Sequence, residues 1–201
     1  MIRRSTEREA GWRRAVRSLG LAALLLLAGC AQMDMGQPQV SMDNQLLVRN
    51  SRLAPVSVGS FAADPRARAE LDEGVKIRTN ALRSPFNGSL AAYLRETLLV
   101  ELKAAGLFSA DSPRTVTGVL LESSVDSPVG VGKATLAGRF TVQEAGRATF
   151  ERTLRAEASW DSPFVGVVAI PIAAGQYEAL YRKLIGMLLA DQDFRKALTE
   201  G

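Results

Sequence analysis

Two hydrophobic periods divide the chain after residue 50. Val56 and Val58 alternate with Ser57 and Gly59, which predicts a first strand over about 53–61, near a sheet edge because of Pro55. Residues 62–86 are charged and turn-rich, with room for a short strand at Val75-Lys76-Ile77. The period then changes. Leu90, Leu94, Thr97, Leu98, Glu101, Leu102 and Ala105 fall at helical spacing, which predicts a helix over 88–105. Asn87 or Ser89 can cap its start, and Gly106 stops it.

Alternation returns in three further strands. One runs from about Val116 to Val125 and breaks at Asp126-Ser127-Pro128. Another follows Ala134, Leu136, Gly138, Phe140 and Val142. The last runs from Ala148 to Trp160 after the turn Glu144-Ala145-Gly146. Tyr177, Leu180, Tyr181, Leu184, Ile185 and Leu188 then form an apolar stripe of core width on a second helix, with Pro171 near its first turn. Phe194 to Leu198 closes the chain as a short helical piece. The expected fold is α+β: a two-layer sandwich with an antiparallel sheet of about four strands and two amphipathic helices packed on one face.

The N-terminal region has a different pattern. Residues 1–17 are arginine-rich, and Leu19 to Gly29 is continuously apolar. A helical membrane span needs about 20 apolar residues, so this run suits a signal-peptide core better than a permanent span. It ends in Leu27-Ala28-Gly29-Cys30, which looks like a lipobox. Small Ala28 and Gly29 let a signal peptidase reach the backbone, and the Cys30 thiol accepts a diacylglycerol before cleavage. The acyl chains then anchor the new N-terminus. Arg13-Arg14-Ala15-Val16 also faintly resembles a twin-arginine export signal. By the sorting rule for such lipoproteins, Ala31 after the cysteine implies the outer membrane. The expected organisation is a signal peptide over 1–29, a lipidated flexible tether over 30–45, and one periplasmic α+β domain over 46–201. The tether reading follows from the absence of apolar periodicity in AQMDMGQPQVSMDNQ.

Charge sharpens this picture. The chain has 25 basic and 21 acidic side chains. Residues 1–29 hold six of the former and two of the latter, which leaves 19 of each sign from Cys30 onward. The basic excess therefore belongs to the signal peptide, and no basic patch remains for nucleic acid. One cysteine rules out an internal disulfide, and with no histidine the commonest metal ligand and general base are both missing. Neither a metal nor a cofactor is expected.

Catalytic patterns are absent: there is no G-x-S-x-G, P-loop, C-x-x-C or H-E-x-x-H. Ser123 or Ser124 with Lys133 could form a Ser–Lys pair, but serines at a strand end read more simply as turn residues. Asp191 and Asp193 read as caps of the terminal helix. Ser127 to Gly132 lies between strands, so it reads as a long hairpin loop rather than a phosphate cradle. The nearly all-apolar run from Pro163 to Ile172 supports two readings. It either packs back over the core as a connection or forms an exposed patch that docks a partner or lipid. In the second case the patch comprises Trp160, Phe164, Val165, Val167, Val168 and Ile170, with Trp160 and Phe164 as anchors.

Across roughly 53–198 the chain resembles the YajG-like family of bacterial lipoproteins. The resemblance rests on the lipobox, the helix ending Leu102-Lys103-Ala104-Ala105-Gly106, the pattern Trp160-Asp161-Ser162-Pro163-Phe164-Val165-Gly166, and the closing Asp191-Gln192-Asp193-Phe194. It implies a lipoprotein and little about activity, since that family is known mainly as uncharacterised lipoproteins. The expected function is a non-enzymatic accessory or binding subunit in envelope maintenance or transport, lipid-anchored on the periplasmic face of the outer membrane with a protein partner. The alternatives are a lipid or small-molecule carrier with an apolar pocket between helices and sheet, and an enzyme, which would need a cleft with a perturbed carboxylate or lysine.

Overall fold

The computed structural model describes residues 32–49 and 51–199, with the Ala69 side chain left aside. The lipobox residues Leu27, Ala28, Gly29 and Cys30 lie outside the described residues. The elements in chain order are β1 (Gln32–Asp34), α1 (Met42–Val48), β2 (Ser57–Ala63), a 3-10 turn (Ala69–Asp72), β3 (Val75–Ile77), β4 (Asn80–Arg83), α2 (Leu90–Ala104), β5 (Arg114–Asp126), β6 (Gly130–Glu144), β7 (Arg147–Ser162), α3 (Gly166–Ala190) and α4 (Gln192–Leu198).

The α+β class holds, but the strands form two mixed sheets, one of three strands in the order β1-β4-β3 and one of four in the order β2-β5-β6-β7. The β5-β6-β7 meander is antiparallel, as its alternation and short turns require. The expectation of an all-antiparallel sheet fails at β2, which joins β5 in parallel. The chain leaves β2, builds the β3–β4 hairpin, and returns through α2 before β5 begins. A crossover of that kind sets the next strand running the same way.

Local sequence explains where α2 begins and ends. The Ser89 side chain accepts from the Ala92 N–H, and Asp72 accepts from the Ser89 hydroxyl at 2.8 Å and from the Ala91 N–H at 2.7 Å. Gly106, at φ +69°, ends the helix in the left-handed conformation that glycine adopts without strain. The helix α2 packs on β2 and β5, α3 packs on β6 and β7, and the two helices touch each other. Leu90, Leu94, Leu98, Phe140, Leu184 and Leu188 are completely buried in the core they share. The other face of β7 exposes Glu151, Thr153, Arg155 and Glu157.

A bulge in β5 between Leu120 and Glu122 reverses the inside–outside parity of the strand. Val116 and Leu120 face the core before it, and Ser123 faces the core after it. There the Ser123 hydroxyl lies 2.5 Å from the Tyr177 hydroxyl, which lies 2.8 Å from that of Tyr181. Ser123 is therefore a strand residue satisfying a buried tyrosine, not a turn residue.

The segment expected to be a flexible tether, 30–45, carries regular structure from Gln32. β1 pairs with β4, and Met35 is buried. The helix α1 docks by polar contacts. Glu101 on α2, almost completely buried, accepts from the Ser41 N–H at 2.9 Å, the Asn44 amide at 2.9 Å and the Gln45 amide at 2.8 Å. Asn44 also donates to the Arg182 carbonyl on α3 at 3.0 Å. Gly186 makes that approach feasible, because a Cβ there would lie 2.4 Å from the Asn44 side-chain oxygen. Polar docking of this kind leaves no apolar period in the sequence, which is why the segment read as tether.

Candidate functional site

Three pieces of chain converge where β5 and β7 end and β6 begins. The β5–β6 connection is short: Ser127, Pro128 and Val129 lead directly into β6 at Gly130, so the expected long hairpin loop is only a tight link. Gly130 then pairs with Ser162 and Val131 with Asp161, which sets this link against the end of β7. From there Pro163, Phe164 and Val165 lead into α3, which starts at Gly166, earlier than Pro171 suggested. Val165 gives the helix no side-chain cap. Pro171 lies inside the helix without an N–H to donate back toward Val167, so the first turn is held less firmly than the rest.

This junction is secured from the β3–β4 turn by Arg78, which the sequence reading did not single out. Its guanidinium donates to the carbonyls of Ser127 (3.1 Å), Phe164 (3.0 Å) and Pro163 (2.5 Å), and to the Ser162 hydroxyl (3.3 Å). Ser127 and Ser162 are both buried, with their hydroxyls 3.0 Å apart. A planar guanidinium can bond several carbonyls at once in a way an ammonium cannot. The backbone at Arg78 adopts φ +55°, an uncommon conformation for a residue with a side chain. Residue type alone could not reveal this clamp, because its acceptors are mostly backbone carbonyls far away in sequence.

Beyond the clamp the surface is apolar and exposed. Phe164 and Val167 are each 81% exposed, and Val129, Val131, Val165 and Val168 are exposed as well. No charged side chain occurs between Ser162 and Tyr177 or between Ser127 and Gly132. Of 163–172, Phe164, Val165, Val167 and Val168 are exposed and Ala169 is buried, so the run does not pack back over the core as a whole. The exposed residues differ from the expected set in two members. Trp160 is only partly exposed and packs against the core; its ring lies over Gly132, where a Cβ would come within 2.4 Å of it. Ile170 likewise packs partly against the core. Val129 in the β5–β6 link is exposed as well, while Val131 lies on β6 with the exposed Asp161 as its cross-strand partner.

The remaining candidates fall elsewhere. Ser123 and Lys133 point to opposite faces of the sheet. Ser124 shares the Lys133 face, but no hydrogen bond joins them. Asp191 caps α4, accepting from the N–H groups of Asp193 at 2.9 Å and Phe194 at 3.0 Å, and Asp193 pairs with Arg152 at 2.6 Å. Among the described residues no cluster of His, Cys, Asp and Glu could hold a metal ion, and no helix is long and apolar enough to cross a membrane.

The interior between the helices and the sheet is filled. Tyr93, Tyr177, Tyr181 and Phe140 occupy it, with Tyr93 and Tyr177 each edge-on to Tyr181 at ring distances of 4.8 and 5.3 Å. Burial pushes the Tyr177 phenol up to about 12, partly offset by its bonds to Ser123 and Tyr181, and also raises those of Tyr93 and Tyr181. An open groove of about 460 Å³ lies outside this core, between α1 and the end of α2, lined by Met42, Leu46, Val48, Ala105 and Leu107 among others.

No family model matches the chain, and no curated protein does. Solved structures do. A protein from Xanthomonas campestris described as family DUF330 superposes with TM-score 0.51 at 13% identity, over 80% of this chain and 90% of its own. A hypothetical protein from Chlamydia trachomatis gives TM-score 0.47 at 13% identity, over 71% of this chain and 97% of its own. A minor lipoprotein from Acinetobacter baumannii gives 0.45 at 15%, over 75% and 98%. The YajG-like resemblance remains a reading of the sequence, and what the comparisons add is a fold shared with the Xanthomonas protein.

Proposed function

We propose that the chain is a lipoprotein anchored through Cys30 to the outer membrane, facing the periplasm, where it acts as a non-enzymatic accessory subunit in envelope maintenance or transport. The observation that carries this reading is the apolar surface around Phe164 and Val167, fixed in place by Arg78 and offered to the outside. An exposed apolar patch of this kind is an interaction surface of the envelope-facing domain. The same reading treats the two long helices and the four-stranded sheet as the two layers of one sandwich. The lipobox is consistent with this assignment. The carrier alternative draws no support from the interior, where tyrosine and phenylalanine rings occupy the space a ligand would need.

The test is intact-mass spectrometry of the protein extracted from membranes, beside a Cys30→Ser version. The expected result is a mass of residues 30–201 plus acyl chains, lost in the variant. A soluble chain without lipid would overturn the reading. A crosslinked pulldown from the same membranes then identifies the protein partner that an accessory subunit requires.

A further inference from the structure

We infer that the exposed apolar surface at the start of α3, formed by Phe164, Val165, Val167 and Val168, rests in the lipid bilayer itself, so that the folded domain sits end-on against the membrane that holds its anchor. This rests on the lipoprotein reading above. It follows from where the described chain begins. β1 runs parallel to β4, with Gln32 opposite Ala81, so residues preceding Gln32 approach from the end of the small sheet that carries the Asn80 side of the β3–β4 turn. Arg78 belongs to that same turn, and its guanidinium bonds the carbonyls of Pro163 and Phe164. The entry point of the chain and the apolar surface therefore share one end of the domain.

The distance available is short. Cys30 is two residues upstream of Gln32, and two residues span at most about 7 Å. A flexible spacer of 30–45 would have let the domain stand off the bilayer in any orientation. With β1 paired and α1 locked onto Glu101, that spacer is absent, and acyl chains on Cys30 draw this end of the domain to the headgroups. The side chains found there suit an interface. Phe164, Val165, Val167 and Val168 are exposed with no charged residue between Ser162 and Tyr177, and apolar faces of this kind settle about 5–10 Å into the headgroup–acyl boundary. A protein-docking surface would need no such placement beside the anchor.

The experiment uses the full lipidated chain reconstituted into phosphatidylethanolamine–phosphatidylglycerol vesicles whose acyl chains are brominated, which quench tryptophan on contact. Two reporters are compared in a Trp160→Phe background, which removes the tryptophan native to that end: Phe164→Trp in the surface, and Arg147→Trp at the opposite end of β7. Both positions are exposed, so folding is preserved. The expected result is that the Phe164→Trp reporter loses most of its emission and shifts to the blue, while the Arg147→Trp reporter matches its emission in unbrominated vesicles. A lipidated chain in which Phe164→Trp is not quenched overturns the bilayer contact and leaves the surface to a protein partner. Quenching of both reporters equally overturns the end-on orientation. Intact mass of the same sample separates the failures, since a chain without lipid on Cys30 overturns the lipoprotein reading on which the inference depends.

Discussion

Arg78 concentrates more of the local order at the β7–α3 junction than any other side chain there. It holds an uncommon left-handed backbone conformation, which costs on the order of 1 kcal/mol, and spends its guanidinium on three carbonyls and one hydroxyl. Hydrogen bonds to a charged group contribute roughly 1.5–3 kcal/mol each when well made, and the freed carbonyls near the surface can partly re-solvate. Arg78→Ala is therefore expected to lower stability by about 2 kcal/mol, read as an earlier midpoint in urea with an unchanged slope. Arg78→Lys should recover only part of it, because an ammonium cannot reach both sides of the junction. An unchanged midpoint in the alanine variant would show that the clamp does not hold the turn.

The tyrosines make a second prediction at this scale. The chain has three, Tyr93, Tyr177 and Tyr181, and all are buried. Their folded-state affinities for the proton are raised, so the folded form keeps the phenol while the unfolded chain releases it near the ordinary value of about 10. The stability linked to them is complete below pH about 10 and falls as pH rises through about 12, the value of Tyr177. Phenolate absorbance should therefore appear together with loss of native circular dichroism, in one steep step. Titration of the phenols near pH 10 in a chain that stays folded would contradict their burial.

Elements differ in how far their sequence announces them. Where burial is apolar and periodic, the reading is close: α2 was expected over 88–105 and spans Leu90–Ala104, and the β6–β7 turn was placed at Glu144-Ala145-Gly146. Where an element is held by polar contacts from distant segments, no period records it. Asn44 and Gln45 look like linker amides until Glu101, far along the chain, becomes their acceptor. The start of α3 fails for a related reason. Gly166, Val167 and Val168 are poor helix starters without a capping side chain, and only the Arg78 contacts to the preceding carbonyls fix the chain's entry there. The α1 lock can be broken selectively. Glu101→Leu removes the acceptor of the Ser41 N–H and one acceptor each of the Asn44 and Gln45 amides, and should cost about 3 kcal/mol and expose 42–48 to protease before the rest of the domain. Gly186→Ala, which by helix propensity alone would gain up to about 1 kcal/mol, should instead destabilise, since its methyl would displace Asn44. If 42–48 is cut equally fast in the parent chain, the segment behaves as a tether after all.

At the scale of the whole molecule, the ordered N-terminal segment determines which way the domain faces. β7 runs from Arg147 to Ser162, and at about 3.3 Å per residue it places the Ala145-Gly146 turn roughly 50 Å from the Phe164 end. With the chain entering β1 at the end that carries the β3–β4 turn and Phe164, an anchor on Cys30 leaves the groove between α1 and α2 toward the far end, away from the bilayer. Orientation of this kind depends on the anchor being short. Inserting a flexible Gly-Ser segment of about twelve residues between Ala31 and Gln32 would allow an r.m.s. separation near 20 Å and lower the effective concentration of the apolar surface at the membrane. The expected outcome is weaker quenching of a Phe164→Trp reporter by brominated lipid, with the lipid mass and the unfolding midpoint both unchanged. Undiminished quenching in the lengthened chain would mean that the surface binds the bilayer by its own affinity, and that the brevity of the link is not what orients the domain.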